Sequence, residues 1–162
     1  MHSWSVATRK QLWAYGLVAS PASKRAQREN MSGTPHELAE LLKRDPRFPY
    51  EAYEFVLAAT VYAQRKLFPE RSEDRPAPRH ITARQLLDAL CDLAVEQFGR
   101  LAPVVLQQWG IRRTDDVGDI VFNLIAIEAM SKTDQDSRSD FADVFDLHQE
   151  LARRFRWQIE ED

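Results

Sequence analysis

The chain has 162 residues, 44% of them hydrophobic and 10% aromatic, with a net charge of −3. Those values suit one globular domain with a real core and exclude a disordered or low-complexity chain. A single cysteine excludes an intramolecular disulfide and any multi-cysteine zinc site, which fits a cytoplasmic protein, and no run approaches the roughly 18 apolar residues of a membrane span.

Charge divides the chain unevenly. Residues 1–30 hold five cations (Arg9, Lys10, Lys24, Arg25, Arg28) against Glu29 alone, a net of +4, which leaves −7 for the remainder of a −3 chain. The stretch LWAYGLVA at 12–19 is too short for a secretory core and is soon followed by Lys24, Arg25 and Arg28. Residues 1–30 therefore read as a basic, poorly ordered extension, with Met31 as a natural start and 31–162 as a single helical domain. Such an arm offers nucleic acid or anionic lipid a weak foothold.

Thr34-Pro35-His36-Glu37 has a cap, a proline suited to the first helical position and the far member of a capping box. The helix it opens runs to about Lys43, before Asp45-Pro46 and Phe48-Pro49 break it. A second helix is expected over Tyr50–Leu67, with Tyr53, Leu57 and Val61 in one stripe, widened by Phe55, Val56, Ala59 and Tyr62. So broad an apolar surface predicts a central helix. Residues 68–79 form a polar loop, and His80-Ile81 a possible short strand.

Thr82 and Gln85 frame another capping box. Behind it Leu86, Leu87, Leu90, Cys91, Ala94, Val95 and Phe98 fall at core-facing helical spacings, and Gly99 ends the helix. A short helix follows over 101–109, tolerating Pro103 in its first turn and stopping at Gly110. Thr114 is expected to cap the next helix, whose first turn carries Asp115 and Asp116, with Val117, Ile120, Val121, Leu124 and Ile125 turned inward. The last helix begins after Asp146, runs to Ile159 and packs through Leu147, Leu151 and Phe155.

Between these two helices lies SKTDQDSRSDFADVFD, residues 131–146, with five carboxylates, two cations and four hydroxyls. An EF-hand is excluded: Arg138 stands where an oxygen ligand belongs, Ser139 replaces the turn glycine and Phe145 the bidentate glutamate. Ser131-Lys132-Thr133 lacks the glycines that cradle phosphate. His36 and Glu37 lack the second histidine of a zinc helix, and His2, His36, His80 and His148 are scattered. Cys91 lies on an apolar stripe, where burial keeps a thiol protonated. Asn123 is either a hydrogen-bonded buried amide or an exposed position, and Trp109 is either core or binding surface. These residues supply no catalytic, cofactor-binding or metal-ligating set.

The order helix, turn at Ile111-Arg112-Arg113, helix, then a hairpin built from Ala129–Thr133 and Phe141–Phe145 is that of a winged helix. The 131–146 stretch also resembles the wing of bacterial regulators, which places Asp-x-Arg near the wing tip, as Asp136 and Arg138 stand here. The expected fold is mainly α, with a winged-helix-like second half. Its recognition helix would present Asp115, Asp116 and Asp119 outward, the wrong sign for phosphate neutralisation. Arg112, Arg113, Lys132 and Arg138 offset this only locally. With Asp136 these seven residues make a candidate protein-docking surface; DNA binding by a winged-helix regulator through the basic arm is the alternative, and an enzyme of unknown class the second.

The strings EQFG, WGI, the D-x-G-D-IVFNL run and SKT-x-x-D-S-R-x-DF, spread over about Glu37 to Leu147, resemble a family of small bacterial proteins. That family is known mainly from planctomycetes and verrucomicrobia and has no established function. Members begin near the position of Met31. The resemblance implies a single bacterial domain and no particular activity, cofactor or catalytic residue.

Overall fold

A computed structural model describes residues 35–68, 80–130 and 137–160. The elements are α1 (Pro35–Arg44), α2 (Tyr50–Leu67), α3 (Ala83–Phe98), the 3₁₀ turn η1 (Gly99–Leu101), α4 (Ala102–Gln108), α5 (Thr114–Ala126), the 3₁₀ turn η2 (Arg138–Phe141) and α6 (Leu147–Glu160). The N-terminal extension and the capping box at Thr34 lie outside the described residues.

The middle of the molecule belongs to α3, which packs against α2, α4, α5, α6 and both 3₁₀ turns. Its sequence explains that position. Leu86, Leu87, Ala89, Leu90, Cys91, Leu93, Ala94 and Val95 are all buried, so more than one face is covered. Full burial of each leucine contributes about 1.5–3 kcal/mol. The expected capping box fixes the start of α3: Thr82 Oγ1 accepts from the Gln85 N–H at 3.2 Å, and the Gln85 side chain accepts from the Thr82 N–H at 3.0 Å. Gly99, at φ +55°, ends it.

The breadth of apolar sequence in α2 placed the wrong helix at the centre. Its buried side is Ala52, Tyr53, Phe55, Val56, Ala59 and Ala63. Tyr50, Val61 and Leu67 are exposed. The small residues Ala52, Ala59 and Ala63 let α2 lie close to its neighbours, and the large residues around them spill onto the surface.

The second correction concerns the hairpin. Among the described residues there is no strand, either at His80-Ile81 or at the apolar return 141–145, so the winged-helix expectation fails. The mainly α assignment holds. Arg138–Phe141 is a 3₁₀ turn in which Ser137 Oγ accepts from the Ser139 N–H and Asp140 Oδ2 from the Ser137 N–H. Phe141 folds down from it into the core against α5, where Gly118 leaves room: a Cβ there would lie 2.7 Å from the Phe141 Cβ. Phe141 anchors a loop here; residues 131–136, the rest of the expected hairpin, lie outside the described residues.

Candidate functional site

The docking surface expected from the sequence rests on the aspartates of α5. Thr114 does not cap the helix. It is the first helical residue, fully buried, and its hydroxyl accepts from the Val144 N–H at 3.1 Å. The cap position falls to Arg113, in extended backbone. The capping role falls to Asp116, whose Oδ2 accepts the N–H groups of both Arg112 and Arg113 at 2.9 Å. Asp115 accepts from the Asp143 N–H at 3.1 Å. Asp119 accepts from Arg47 at 3.2 Å and Arg138 at 3.1 Å.

Each of these carboxylates is thus half-buried and holds a piece of its own chain. The expected outward acidic face is not free. What remains exposed at this end of α5 is the pair Arg112 and Arg113. Lys132 and Asp136 lie outside the described residues.

Asn123 is a hydrogen-bonded amide. Its Nδ2 donates to Asp45 Oδ2 at 3.0 Å and to the Tyr53 hydroxyl at 3.1 Å. Asp45 also receives two hydrogen bonds from the Arg47 guanidinium, at 2.8 Å each. Those bonds hold its carboxyl well below the usual range, against the opposing effect of burial. Burial pushes the Tyr53 hydroxyl upward. The two arginines that share Asp119 each lie over a ring, Arg47 over Phe48 and Arg138 over Phe122. The chain Tyr53, Asn123, Asp45, Arg47, Asp119, Arg138 ties α2, the turn after α1, α5 and η2 together. Composition gave no sign of it, since bonded partners within it lie as much as 78 positions apart.

A second cluster joins α3 to α6. Arg154 donates to Glu150 at 2.8 Å, to the Asp88 carbonyl at 2.9 Å, to the Asp88 carboxylate at 2.7 Å and to Asp92. Burial works against its charge, but hydrogen bonds to Asp92 and Glu150 override that and raise its affinity for the proton. Lys66 reaches Asp92 from α2. The spacings Asp88/Asp92 and Glu150/Arg154 are both i, i+4, a signal that sequence reasoning passed over. Burial pushes the Cys91 thiol up to about 12, so it is no thiolate nucleophile at neutral pH. Trp109 is half-buried in an aromatic set, 5.4 Å from Phe55 and 5.7 Å from Phe98 between ring centroids.

One surface feature stands outside these clusters. An open groove between α4 and α6 has Leu106, Ile111, Leu147 and Leu151 on its floor. Pro103, Gln107, Arg112 and His148 form its mouth, and no carboxylate lines it. Outside that lining, Val104 on α4 and Leu101 on η1 are each 53% exposed.

Among the described residues no group of three or more His, Cys, Asp or Glu is placed to hold a metal ion, and no helix is long and apolar enough to cross a membrane. No family model matches the chain, and neither the curated proteins nor the solved structures contain a significant match.

Proposed function

We propose that this is a non-enzymatic protein-interaction domain of a cytoplasmic adaptor or regulator. One observation carries the reading: Leu101 and Val104 are large apolar side chains, three positions apart, each left 53% exposed. Covering apolar surface contributes about 25 cal/mol per Å², so this surface gains free energy from a partner. The acidic face of α5 no longer supports the reading, because Asp115, Asp116 and Asp119 are engaged within the chain. Of the residues nominated from sequence, Arg112 lines the groove between α4 and α6.

A nucleic-acid reading draws on a different observation, the exposed pair Arg112 and Arg113 together with the basic residues 1–30. The balance of the chain is near −7, which opposes a polyanion. Affinity capture with the full chain separates the two. A protein partner retained after nuclease treatment and in roughly 0.5 M salt, where exposed charge pairs are largely screened, is the expected result. Recovery of RNA or DNA alone, lost in that salt, moves the assignment to nucleic acid.

A further inference from the structure

We propose that the outer face of α2 docks on the same face of a second copy of this chain, with the two helices antiparallel. The proposal concerns a different surface from Leu101 and Val104 and goes beyond the reading above. The inward side of α2 is Ala52, Tyr53, Phe55, Val56, Ala59 and Ala63. On the other side Tyr50 is 49% exposed and Val61 47%. At 3.6 residues per turn these two fall within about 20° of each other around the helix. Leu57, only partly covered, lies on the same side between them. The outer face thus has an apolar centre.

Charge along this face selects the partner. Its N-terminal part carries Glu51 and Glu54, both exposed, and no described cation pairs with either. Its C-terminal part carries the exposed Arg65. An isologous interface sets a surface against itself in reverse order, so it requires opposite charges on either side of its centre. An antiparallel crossing between Leu57 and Val61 meets that requirement. Leu57 of each copy then lies on Val61 of the other, and Glu51 and Glu54 of each copy approach Arg65 of the other. Ala58, small and half-buried, lets the helices come close there. Residues 1–30, at net +4, would suit the glutamates and oppose Arg65, whereas a second copy matches both ends. One helix face covers less than the roughly 800 Å² per partner of a standard interface. The dimer is therefore weak, with a Kd expected at about 20–500 µM.

Sedimentation equilibrium of the full chain from about 10 µM to 1 mM is expected to show monomer and dimer in exchange. Val61→Glu should raise the Kd at least about tenfold, because it sets a carboxylate against Leu57 of the second copy. Glu51→Arg and Arg65→Glu should each raise it about threefold or more, since each change acts twice across the axis. The double variant should return to within about twofold of the parent, because it restores the opposite charges. Circular dichroism and the melting curve of the monomer check that each variant is folded. A chain that stays monomeric to 1 mM, a dimer unaffected by Val61→Glu, or a double variant no better than either single one would each overturn the proposal. A dimer that keeps its Kd in all these variants and is lost on removal of residues 1–30 overturns it as well, and assigns association to that segment.

Discussion

Gly110 stands at φ +79°, and a Cβ built there would lie 2.5 Å from the Arg47 carbonyl oxygen. Two penalties coincide at this residue. An L side chain is disfavoured in the left-handed region, and the neighbour that must move is backbone, which cannot rotate away. Gly110→Ala is therefore expected to destabilise the fold by about 2–4 kcal/mol, read as a lower urea midpoint with an unchanged m-value. Asn123 offers a different probe, because its replacement takes a donor from the Tyr53 hydroxyl and leaves Asp45 to Arg47 alone. Asn123→Leu keeps the volume and removes the hydrogen bonds to Asp45 and Tyr53. A loss of about 1–3 kcal/mol in equilibrium unfolding is expected, and a neutral result would mean that water replaces the amide there. In the sequence Asn123 was ambiguous for a physical reason. Its helix was legible, but both acceptors lie at least 70 positions away and are brought to it only by the packing of α2 and the turn after α1 onto α5. Trp109 was ambiguous in the same way until Phe55 and Phe98 were seen around it.

At the scale of elements, the attachment of α6 to α3 depends on charge as well as on Leu147 and Leu151. Arg154 meets Asp88, Asp92 and Glu150 with one planar fork, and Lys has no such geometry. Arg154→Lys is expected to lose about 1–2 kcal/mol, and Arg154→Ala about 2–4 kcal/mol, because Asp88, Asp92 and Glu150 then lose the half-buried cation they share and keep only the more exposed Arg84, Lys66 and Arg153. The same cluster gives the domain an acid limb. The Arg153 hydrogen bonds hold the Glu150 carboxyl down to about 2, with Arg154 adding to the effect and burial opposing it. A carboxyl lowered in the folded state stabilises fully above its ordinary value of 4.5, and that contribution is lost as pH falls from there toward 2. Glu150→Gln should be less stable than the parent at neutral pH and should show a shallower loss between pH 4.5 and 2 in thermal melts.

Helix positions were largely legible because they rest on local features: Tyr50–Leu67 and Ala83–Phe98 follow from periodicity, prolines and a capping box. The hairpin was not legible. Phe141–Phe145 reads as the apolar return of a hairpin, yet Ser137-x-x-Asp140 carries a cap pattern that closes a 3₁₀ turn first. The inversion at α5 has a related cause. Thr114 has the chemistry of a cap, but Asp116 can reach back to two N–H groups, which frees Thr114 to bind Val144.

Taken whole, the molecule sets a −7 body beside a +4 segment. The buried cluster that runs from Leu41 to Leu151 is contiguous, and among the described residues no buried side-chain polar atom lacks a partner. Such a core has the means to stand without residues 1–30. Their removal changes the net charge from −3 to −7 and takes away five of the chain's 22 lysines and arginines. Two consequences follow from that single truncation. The melting temperature of the 31–162 protein should stay within about 2 °C of the full chain, since a shift of about 2–4 °C accompanies each 1 kcal/mol in a chain of this size. Any retention on heparin or single-stranded DNA should disappear, because phosphate binding scales with the number of cations brought to it. A truncated protein that melts normally yet still holds DNA would transfer that binding to Arg112 and Arg113, the exposed cations at the start of α5. One that fails to fold would show that the first thirty residues complete the core.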